Sequence, residues 1–322
     1  KIDSKRVAEI PAGFRTDYRS HRERIRVIKH IAIMSGKGGT GKTTVAASFA
    51  YLSKTHPESP IVIADADVDA ANLHLLLAFR CENKDQYVGG KKAFVEPSRC
   101  VGCGECESVC RFEAIKMEES CARINPLFCE GCKACVFACK YDAISMESVH
   151  SGWLRDGSAI GMPFVDGDLF PGEETSGKLV TEVRKRANEN AEREKIPSVI
   201  VDGAPGIGCP AISSITGTYA IIIVTEPSAS GWHDLERMME TADHFKVPYS
   251  VMINKSDLNE TYSQWVEEKL KQKGVDVIGS LPFDENVMIA TRKGIPVIQM
   301  GGPAAEELAR IWRTKILPLL SD

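Results

Sequence analysis

Two residue patterns in this chain carry chemistry. The first is a set of eight cysteines in two runs, Cys100-x2-Cys103-x2-Cys106-x3-Cys110 and Cys129-x2-Cys132-x2-Cys135-x3-Cys139. Thiolates at this density are ligands for soft metals. Paired Cys-x2-Cys units about 15–20 residues apart read as structural zinc, but triple runs with a trailing cysteine do not. The runs form an internal repeat at an offset of 29 residues, because Pro97/Pro126, Gly102/Gly131, Ala114/Ala143, Ile115/Ile144 and Met117/Met146 also coincide. The second pattern is Gly36-Lys37-Gly38-Gly39-Thr40-Gly41-Lys42-Thr43-Thr44, which has the GxxxxGK[ST] spacing of a phosphate-binding loop. Its glycines permit φ > 0, so backbone N–H groups can close around a phosphate chain at the positive end of the following helix. Lys42 is expected to reach the β- and γ-phosphates and Thr43 to sit on Mg²⁺.

The elements around the loop suit that role. The apolar run from Val27 to Met34 predicts a strand, and the stretch from Val45 to Leu52 a helix. A second strand, Pro60 to Ala64, runs into Asp65-Ala66-Asp67-Val68-Asp69, and a third, Ser198 to Val201, into Asp202-Gly203-Ala204-Pro205-Gly206. Carboxylates at the carboxyl ends of strands face the crevice where α/β sheets bind ligands. Asp202 after an apolar strand reads as an acid that holds Mg²⁺ through water, and Asp69 as a turn or helix-cap residue. Further strands are expected over Thr218 to Val224 and Pro248 to Ile253, with a helix from about Ser230 and a proline-opened terminal helix from Pro303 to Leu320. The stretch from Glu147 to Leu169 alternates loosely and contains Asp156-Gly157, a hairpin-turn signal. A charged amphipathic helix follows from Ser176 to Lys195, read as a solvated outer helix.

Composition sets outer bounds. Hydrophobic and charged residues, 43% and 26%, match a soluble globular protein, and a net charge of −4 gives no general reason to expect nucleic acid or acidic membranes. No apolar run approaches the roughly 18 residues of a membrane span, and no apolar signal segment is seen. Eleven cysteines without a secretion signal argue for metal in a reducing, cytoplasmic setting. Residues 1–26 form a basic extension; Lys1 to Lys29 carries nine Lys/Arg against four acids and is read as a solvated arm. Because the chain begins with lysine, residues preceding it are an open question.

The loop sequence KGGTGKT, with Lys37 inside it, resembles the deviant Walker A motif of the MinD/ParA/nitrogenase-iron-protein superfamily. The resemblance implies ATP as nucleotide and a homodimer with ATP at its interface, Lys37 reaching the partner's nucleotide. It implies further that Asp65 lies near the Mg²⁺ shell, that Asp67 orients the attacking water, and that Ala204 to Gly208 is the switch loop sensing the γ-phosphate. Asn254, in Asn254-Lys255-Ser256-Asp257, would contact the base together with Pro282 and Asp284 of Leu281-Pro282-Phe283-Asp284. Cys209 follows the switch loop where a nitrogenase-type iron protein binds its bridging cluster, implying a dimer-interface or metal site; a lone cysteine is more often a packed small residue.

The cysteine repeat resembles the bacterial two-cluster ferredoxin, in which the fourth cysteine of each run ligates the other cluster. That implies one [4Fe–4S] cluster on Cys100, Cys103, Cys106 and Cys139, and a second on Cys129, Cys132, Cys135 and Cys110. The residue after each fourth cysteine is Arg111 or Lys140 instead of proline, and a positive charge there is expected to raise the potential. Cys81 and Cys121 fall outside the repeat.

The expected fold is therefore α/β: a doubly wound, mainly parallel P-loop ATPase sheet built from residues 27–80 and 148–322, with an inserted α+β ferredoxin-like domain at 81–147. The expected function is an ATPase whose nucleotide state gates electron transfer from two [4Fe–4S] clusters to an unidentified redox or metalloprotein partner. An Mrp-like cluster-assembly ATPase and a MinD/ParA-like positioning ATPase, with the ferredoxin as sensor, are the alternatives.

Overall fold

The computed structural model describes residues 28–173 and 176–321; the basic extension expected at 1–26 lies outside them. Eleven strands are defined in that range: β1 (Lys29–Met34), β2 (Ile61–Asp65), β3 (Arg80–Val95), β4 (Ile115–Glu118), β5 (Cys121–Ile124), β6 (Ile144–Ala159), β7 (Met162–Leu169), β8 (Ser198–Asp202), β9 (Ala220–Thr225), β10 (Tyr249–Ile253) and β11 (Val277–Ser280). Nine form one sheet in the order β11-β10-β9-β1-β8-β2-β7-β6-β3, and β4 and β5 pair separately. The seven from β11 to β7 are parallel, while β6 pairs antiparallel with both β7 and β3.

The central strands are continuous apolar runs because helices cover both faces. On one face Phe49, Leu73, Phe164, Leu308 and Trp312 pack from the helices Lys42–Lys54, Leu73–Leu76 and Pro303–Ile311, from β7 and from the segment Trp312–Ile316. On the other, Leu179, Val183, Leu235 and Met238 pack from the helices Ser176–Glu194 and Ala229–His244. The helix read as a solvated outer element thus contributes a buried stripe. The terminal helix is a regular turn set, Pro303–Ile311, followed by a π segment, Trp312–Ile316, and then Leu317–Ser321. No helix among the described residues is long and apolar enough to cross a membrane.

The antiparallel edge of the sheet is its least regular part. β3 and β6 are 16 residues each and pair along their length as a bulged ribbon. The boundaries expected near residues 80 and 148 fall within these two strands. Asp156-Gly157, read as a hairpin turn, instead lies inside β6. Gly157 is needed there because a Cβ would stand 2.1 Å from the Arg80 carbonyl oxygen, a close approach of neighbouring backbones that glycine serves. The hairpin to β7 turns at Ile160 and Gly161, both with positive φ (48° and 88°), as a type I′ turn requires.

At the far end of the ribbon the cysteine repeat appears as paired local structures. The short helices Glu105–Val109 and Ala134–Ala138 begin after left-handed residues, Gly104 and Lys133. Glu113 and Asp142 share a positive φ of 52° and 51°. The hydrogen bonds Glu96 N–H to Ala143 O (2.8 Å) and Asn125 N–H to Ala114 O (2.7 Å) join opposite halves reciprocally. Ala93, Ile115, Ala122 and Ile144 then form a small apolar core with Cys106 and Cys135.

His30, on β1, is buried and bonds through Nε2 to Asn188 Oδ1 at 3.2 Å. Burial, then the nearby Arg184 charge, push its pKa from the ordinary 6.5 down to about 4 against the pull of that bond. The unfolded chain binds the proton that the folded chain excludes, so His30 contributes stability above about pH 6.5 that is lost as pH falls toward 4. Its share of that loss is about 3 kcal/mol. Urea unfolding of wild type and His30→Leu across pH 4 to 7 should show the two stabilities converging by about that amount. Parallel curves would remove His30 as the cause.

Candidate functional site

The phosphate loop leaves β1 at Ser35 and enters the helix Lys42–Lys54. Gly39 and Gly41 take φ of 80° and 101°, and Gly41 occupies the N-cap without a side-chain hydrogen bond. The first amides of the helix therefore open toward a cavity of about 550 Å³, lined by Gly39, Lys42, Thr43, Asp67, Pro205 and Thr291 among others. Lys42 is buried (4% exposed), and an ammonium held there is set up to meet an anion.

Three carboxylates occupy one rung of the sheet. Asp65 on β2 is in register with Asp166 on β7 and with Asp202 on β8, and all three are fully buried. Each meets a different environment. Asp166 receives both Nε and an Nη of Arg155, at 2.8 and 2.7 Å, and has His74 Nδ1 at 3.6 Å. Asp65 accepts the backbone N–H groups of Asp67, Asn72 and Leu73 at 3.1, 3.1 and 2.9 Å. Burial and the neighbouring Asp202 charge still raise its pKa. Neither oxygen of Asp202 has a hydrogen-bond partner; burial raises its pKa while the Lys42 ammonium and the Thr43 hydroxyl pull it down. A buried carboxylate left without partners beside a phosphate loop fits a divalent cation or its water shell, with Thr43 alongside.

The residues expected to act on the nucleotide divide into two groups. The structure brings Lys42, Thr43, Thr44, Asp67 and glycines of the loop around one cavity. Burial, outweighing Lys42, raises the Asp67 pKa. Asp69 lies in a turn, as expected, and also lines this space. Asn254 instead donates from Nδ2 to the Thr40 carbonyl at 2.7 Å and braces the loop. Asp284 caps the helix Glu285–Lys293 through Asn286 N–H at 2.9 Å and also accepts Ala304 N–H at 3.2 Å, while Pro282 lies in the loop before it. Lys37 does not point at the loop's own cavity: its Nζ pairs with Glu226 and donates to Ser230 Oγ at 3.2 Å.

The eight repeat cysteines are all free thiols. Cys100, Cys103, Cys106 and Cys139 line a single small cavity of about 20 Å³, together with Val101, Met117, Ala122 and Ile144. The fourth of these cysteines comes from the other run. Backbone amides reach the sulfurs: Ala93 N–H to Cys129 Sγ at 3.4 Å and Ala143 N–H to Cys139 Sγ at 3.3 Å. Amides of Ala122 and Gly102 hold the Cys100 pKa below its ordinary value, whereas burial pushes Cys135 up to about 11. Among the described residues no group of three or more His, Cys, Asp or Glu side chains is arranged to hold a metal ion. Cys209 is exposed and not a packed core residue. It stands at the start of the helix Cys209–Ile215 and lines a cleft of about 520 Å³ with Cys129, Lys91, Lys178 and Ser213. Lys140 donates to Glu105 Oε1 at 2.9 Å, which offsets its charge.

Asp166, Arg155, His74, Glu226, Ser230 and Thr291 escaped the sequence reading. None sits in a contiguous motif; strand register and loop packing bring them to the site.

A parallel sheet with a phosphate loop after its central strand, and acids at the ends of the strands beside it, defines a P-loop nucleotide-binding protein. Residues 31–297 match the CobQ/CobB/MinD/ParA nucleotide binding domain family, and the chain belongs to that family of MinD/ParA-type P-loop ATPases. It is 35% identical over 286 residues to an uncharacterized protein of Methanocaldococcus jannaschii, covering 89% of this chain and 96% of that one. An iron-sulfur cluster carrier protein of Pyrococcus abyssi is 28% identical over 151 residues, covering 42% of this chain and 50% of the carrier. Among solved structures, the septum site-determining protein MinD of Pyrococcus horikoshii, complexed with Mg-ADP, shares the fold with a TM-score of 0.55 and 17% identity, over 91% of this chain and 98% of that one.

Replacing Asp202 by asparagine removes a buried charge whose oxygens lack a hydrogen-bond partner. The nucleotide-free Asp202→Asn protein should melt about 2–4 °C higher at pH 8, while its Mg²⁺-dependent affinity for ATP falls by about tenfold or more. Scanning calorimetry and titration with and without Mg²⁺ would check both, and a lower melting point with unchanged Mg²⁺ dependence would refute the assignment.

Proposed function

We propose that this protein is an ATP-hydrolysing homodimer whose nucleotide state gates two [4Fe–4S] clusters held within residues 81–147, and that its output is electron transfer to a partner metalloprotein in a reducing cytoplasm. The observation that carries this reading is the cavity shared by Cys100, Cys103, Cys106 and Cys139. Its four thiols are the crossed set of a two-cluster ferredoxin, and the reciprocal hydrogen bonds between repeat halves support the same arrangement for Cys129, Cys132, Cys135 and Cys110. A cuboidal cluster presents four separate iron corners, so its thiolates stand further apart than the ligands of one ion. That is compatible with the lack of a single-ion site among the described residues. When bound, the clusters would store and pass single electrons, and Mg²⁺ would neutralise phosphate charge.

The chain's own residues divide the ATPase work. Lys42 and the loop amides hold the phosphates, Thr43 and Asp202 hold the cation's side of the cavity, and Asp67 orients water. Asp67 and Asp65 share the short turn that leads to His74, and His74 and Arg155 meet on Asp166. Arg155 belongs to β6, the strand that begins at the cysteine core. A change at the nucleotide therefore has a covalent and ion-paired route to the clusters, which is what coupling between two sites requires.

Cluster assembly is the second reading, favoured by the partial likeness to an iron-sulfur cluster carrier. The two differ in whether iron leaves the protein.

Anaerobically prepared protein should hold about eight irons per chain, with EPR signals of two reduced clusters. Cys139→Ser should disturb the same signal as Cys103→Ser, and Cys110→Ser the same signal as Cys132→Ser. Pairing within each run instead would overturn the crossed set. Gating predicts that a nonhydrolysable ATP analogue with Mg²⁺ shifts at least one potential by roughly 60 mV or more, about tenfold in equilibrium constant. Unshifted potentials together with iron transfer to an apo-ferredoxin would favour assembly.

A further inference from the structure

The two halves of the cysteine repeat are built alike around their thiols. A Cβ on Gly131 would strike the Lys91 carbonyl oxygen, and one on Gly102 would stand 2.7 Å from the Ser120 carbonyl oxygen. Ala93 N–H donates to Cys129 Sγ at 3.4 Å, and the Ala122 amide reaches Cys100. Each of these contacts recurs at the repeat offset of 29 residues, so the strand before one run cradles the first cysteine of the other. At one matched position the two sites differ in charge. The residue ahead of Ala122 is Cys121, and its counterpart ahead of Ala93 is Lys92.

Lys92 is buried, and its Nζ pairs with Glu173 Oε1 at 2.7 Å. The two side chains are only 11% and 14% exposed, and both residues line the cleft that contains Cys129. Lys91, Glu130 and Lys178 line it too, and Glu147 stands opposite Lys92 on β6, but these four are exposed and screened by water. A charge sheltered from water acts more strongly on its surroundings. The members of the pair come from different parts of the protein. Lys92 belongs to the ribbon that carries the cysteines, whereas Glu173 lies on the turn after β7, on the ATPase side. That turn is fixed to the sheet: Phe170 N–H donates to Ser151 O at 2.8 Å and Glu173 N–H to Phe170 O at 3.1 Å. The Phe170 ring packs edge-on against His150 and Trp153. Three residues beyond Glu173 begins the helix Ser176–Glu194, whose Gly177 meets Cys209.

We propose that Lys92 sets the reduction potential of the cluster held by the Cys129 set, and that Glu173 is the counter-charge through which the ATPase body adjusts it. The inference rests on the reading that residues 81–147 hold two clusters under nucleotide control. A positive charge beside a thiolate ligand favours the reduced, more negative cluster and raises its potential. Glu173 cancels that charge while the pair is closed. A displacement of the body that draws Glu173 away uncovers the lysine, and the second cluster becomes the better electron acceptor. The first site, with a thiol at the matched position, has no such charge to uncover.

Reduction potentials of the anaerobically prepared full chain, followed by EPR, test this; the second cluster is the one whose signal Cys132→Ser disturbs. Glu173→Gln should raise its potential and Lys92→Gln should lower it. Each change should be about three- to tenfold in the equilibrium constant for reduction, up to about 59 mV for one electron. Lys92→Arg keeps the charge and should stay near wild type. The double variant Lys92→Gln/Glu173→Gln should return close to the wild-type potential. It should also lose the shift that a nonhydrolysable ATP analogue with Mg²⁺ produces in wild type, having no charge left to uncover. The cluster whose signal Cys103→Ser disturbs should move by less in every variant. Both single variants moving the potential in one direction would show that the pair only braces the ribbon. A nucleotide shift that survives in the double variant would show that the body acts elsewhere. Either result overturns the proposal while the two-cluster reading stands. Absence of a second cluster signal in wild type would remove that reading and the proposal with it.

Discussion

Three carboxylates on one rung of a parallel sheet, all sealed from water, constrain everything around them. Like charges on adjacent strands cannot be buried together without a separate answer for each. Asp166 is answered by a bidentate guanidinium, Asp65 by three backbone amides, and Asp202 only by the nearby Lys42 ammonium and Thr43 hydroxyl, without a hydrogen bond that meets normal geometry. The amides that satisfy Asp65 belong to the turn carrying Asp67, so that turn's shape is tied to the rung. The guanidinium that satisfies Asp166 belongs to β6, so the antiparallel ribbon is tied to it as well. This least answered carboxylate lies beside the phosphate loop, where a cation would complete the set. The rung thus relates loop, acidic turn and ribbon through electrostatics that no one of them satisfies alone.

The ribbon gives this arrangement its reach. A strand rises about 3.3 Å per residue, so β3 and β6 carry the chain well beyond the sheet before the cysteine repeat begins. Their distal ends are not spacers: Ala93 and Ile144 pack directly with Cys106 and Cys135. Arg186 pins the proximal part by pairing with Asp85 of β3 and Asp156 of β6. A two-stranded element alone is marginal in water, and these ion pairs and the β7 pairing hold it to the body of the protein.

The parts of this fold that were legible in the sequence are those written in short contiguous code. The phosphate loop, the strands before Asp65 and Asp202, and the repeat of 29 residues depend on local spacing, and the loop and strands lie where that spacing places them. The ribbon was illegible because β3 is mostly polar and both strands are bulged, which breaks a period-two pattern. Asp156-Gly157 misled for a physical reason: the same small residue that permits a turn also permits close strand approach. The true turn places Ile160 at positive φ, against every local preference for a β-branched residue. Asp166 and Arg155 stand on neighbouring strands, yet nothing in their spacing announces a bidentate pair. Asn254 and Asp284 show the converse, since their motif is present while hydrogen bonds to the loop and to a helix end account for them here.

The short helix Cys209–Ile215 is where the two halves of the proposed mechanism meet. Pro205, before it, and Pro210, within it, line the nucleotide cavity, while Cys209 and Ser213 line the cleft that also contains Cys129. One element therefore forms a wall of both spaces, with the switch loop at its entrance. It packs against the helix Ser176–Glu194 through a contact as close as 3.2 Å between Cys209 Cβ and the position a Gly177 Cβ would take. A larger residue at 177 would crowd Cys209 and Ser213, so glycine there lets the two helices approach this closely. Movement of the switch loop would alter the cleft wall that Cys129 shares, independently of the route through Asp166 and β6. Two routes of different character, one through a carboxylate rung and one through this helix, would then connect the nucleotide to the cysteine module. With both in place, nucleotide state could set the module's orientation as well as the exposure of its second cysteine set.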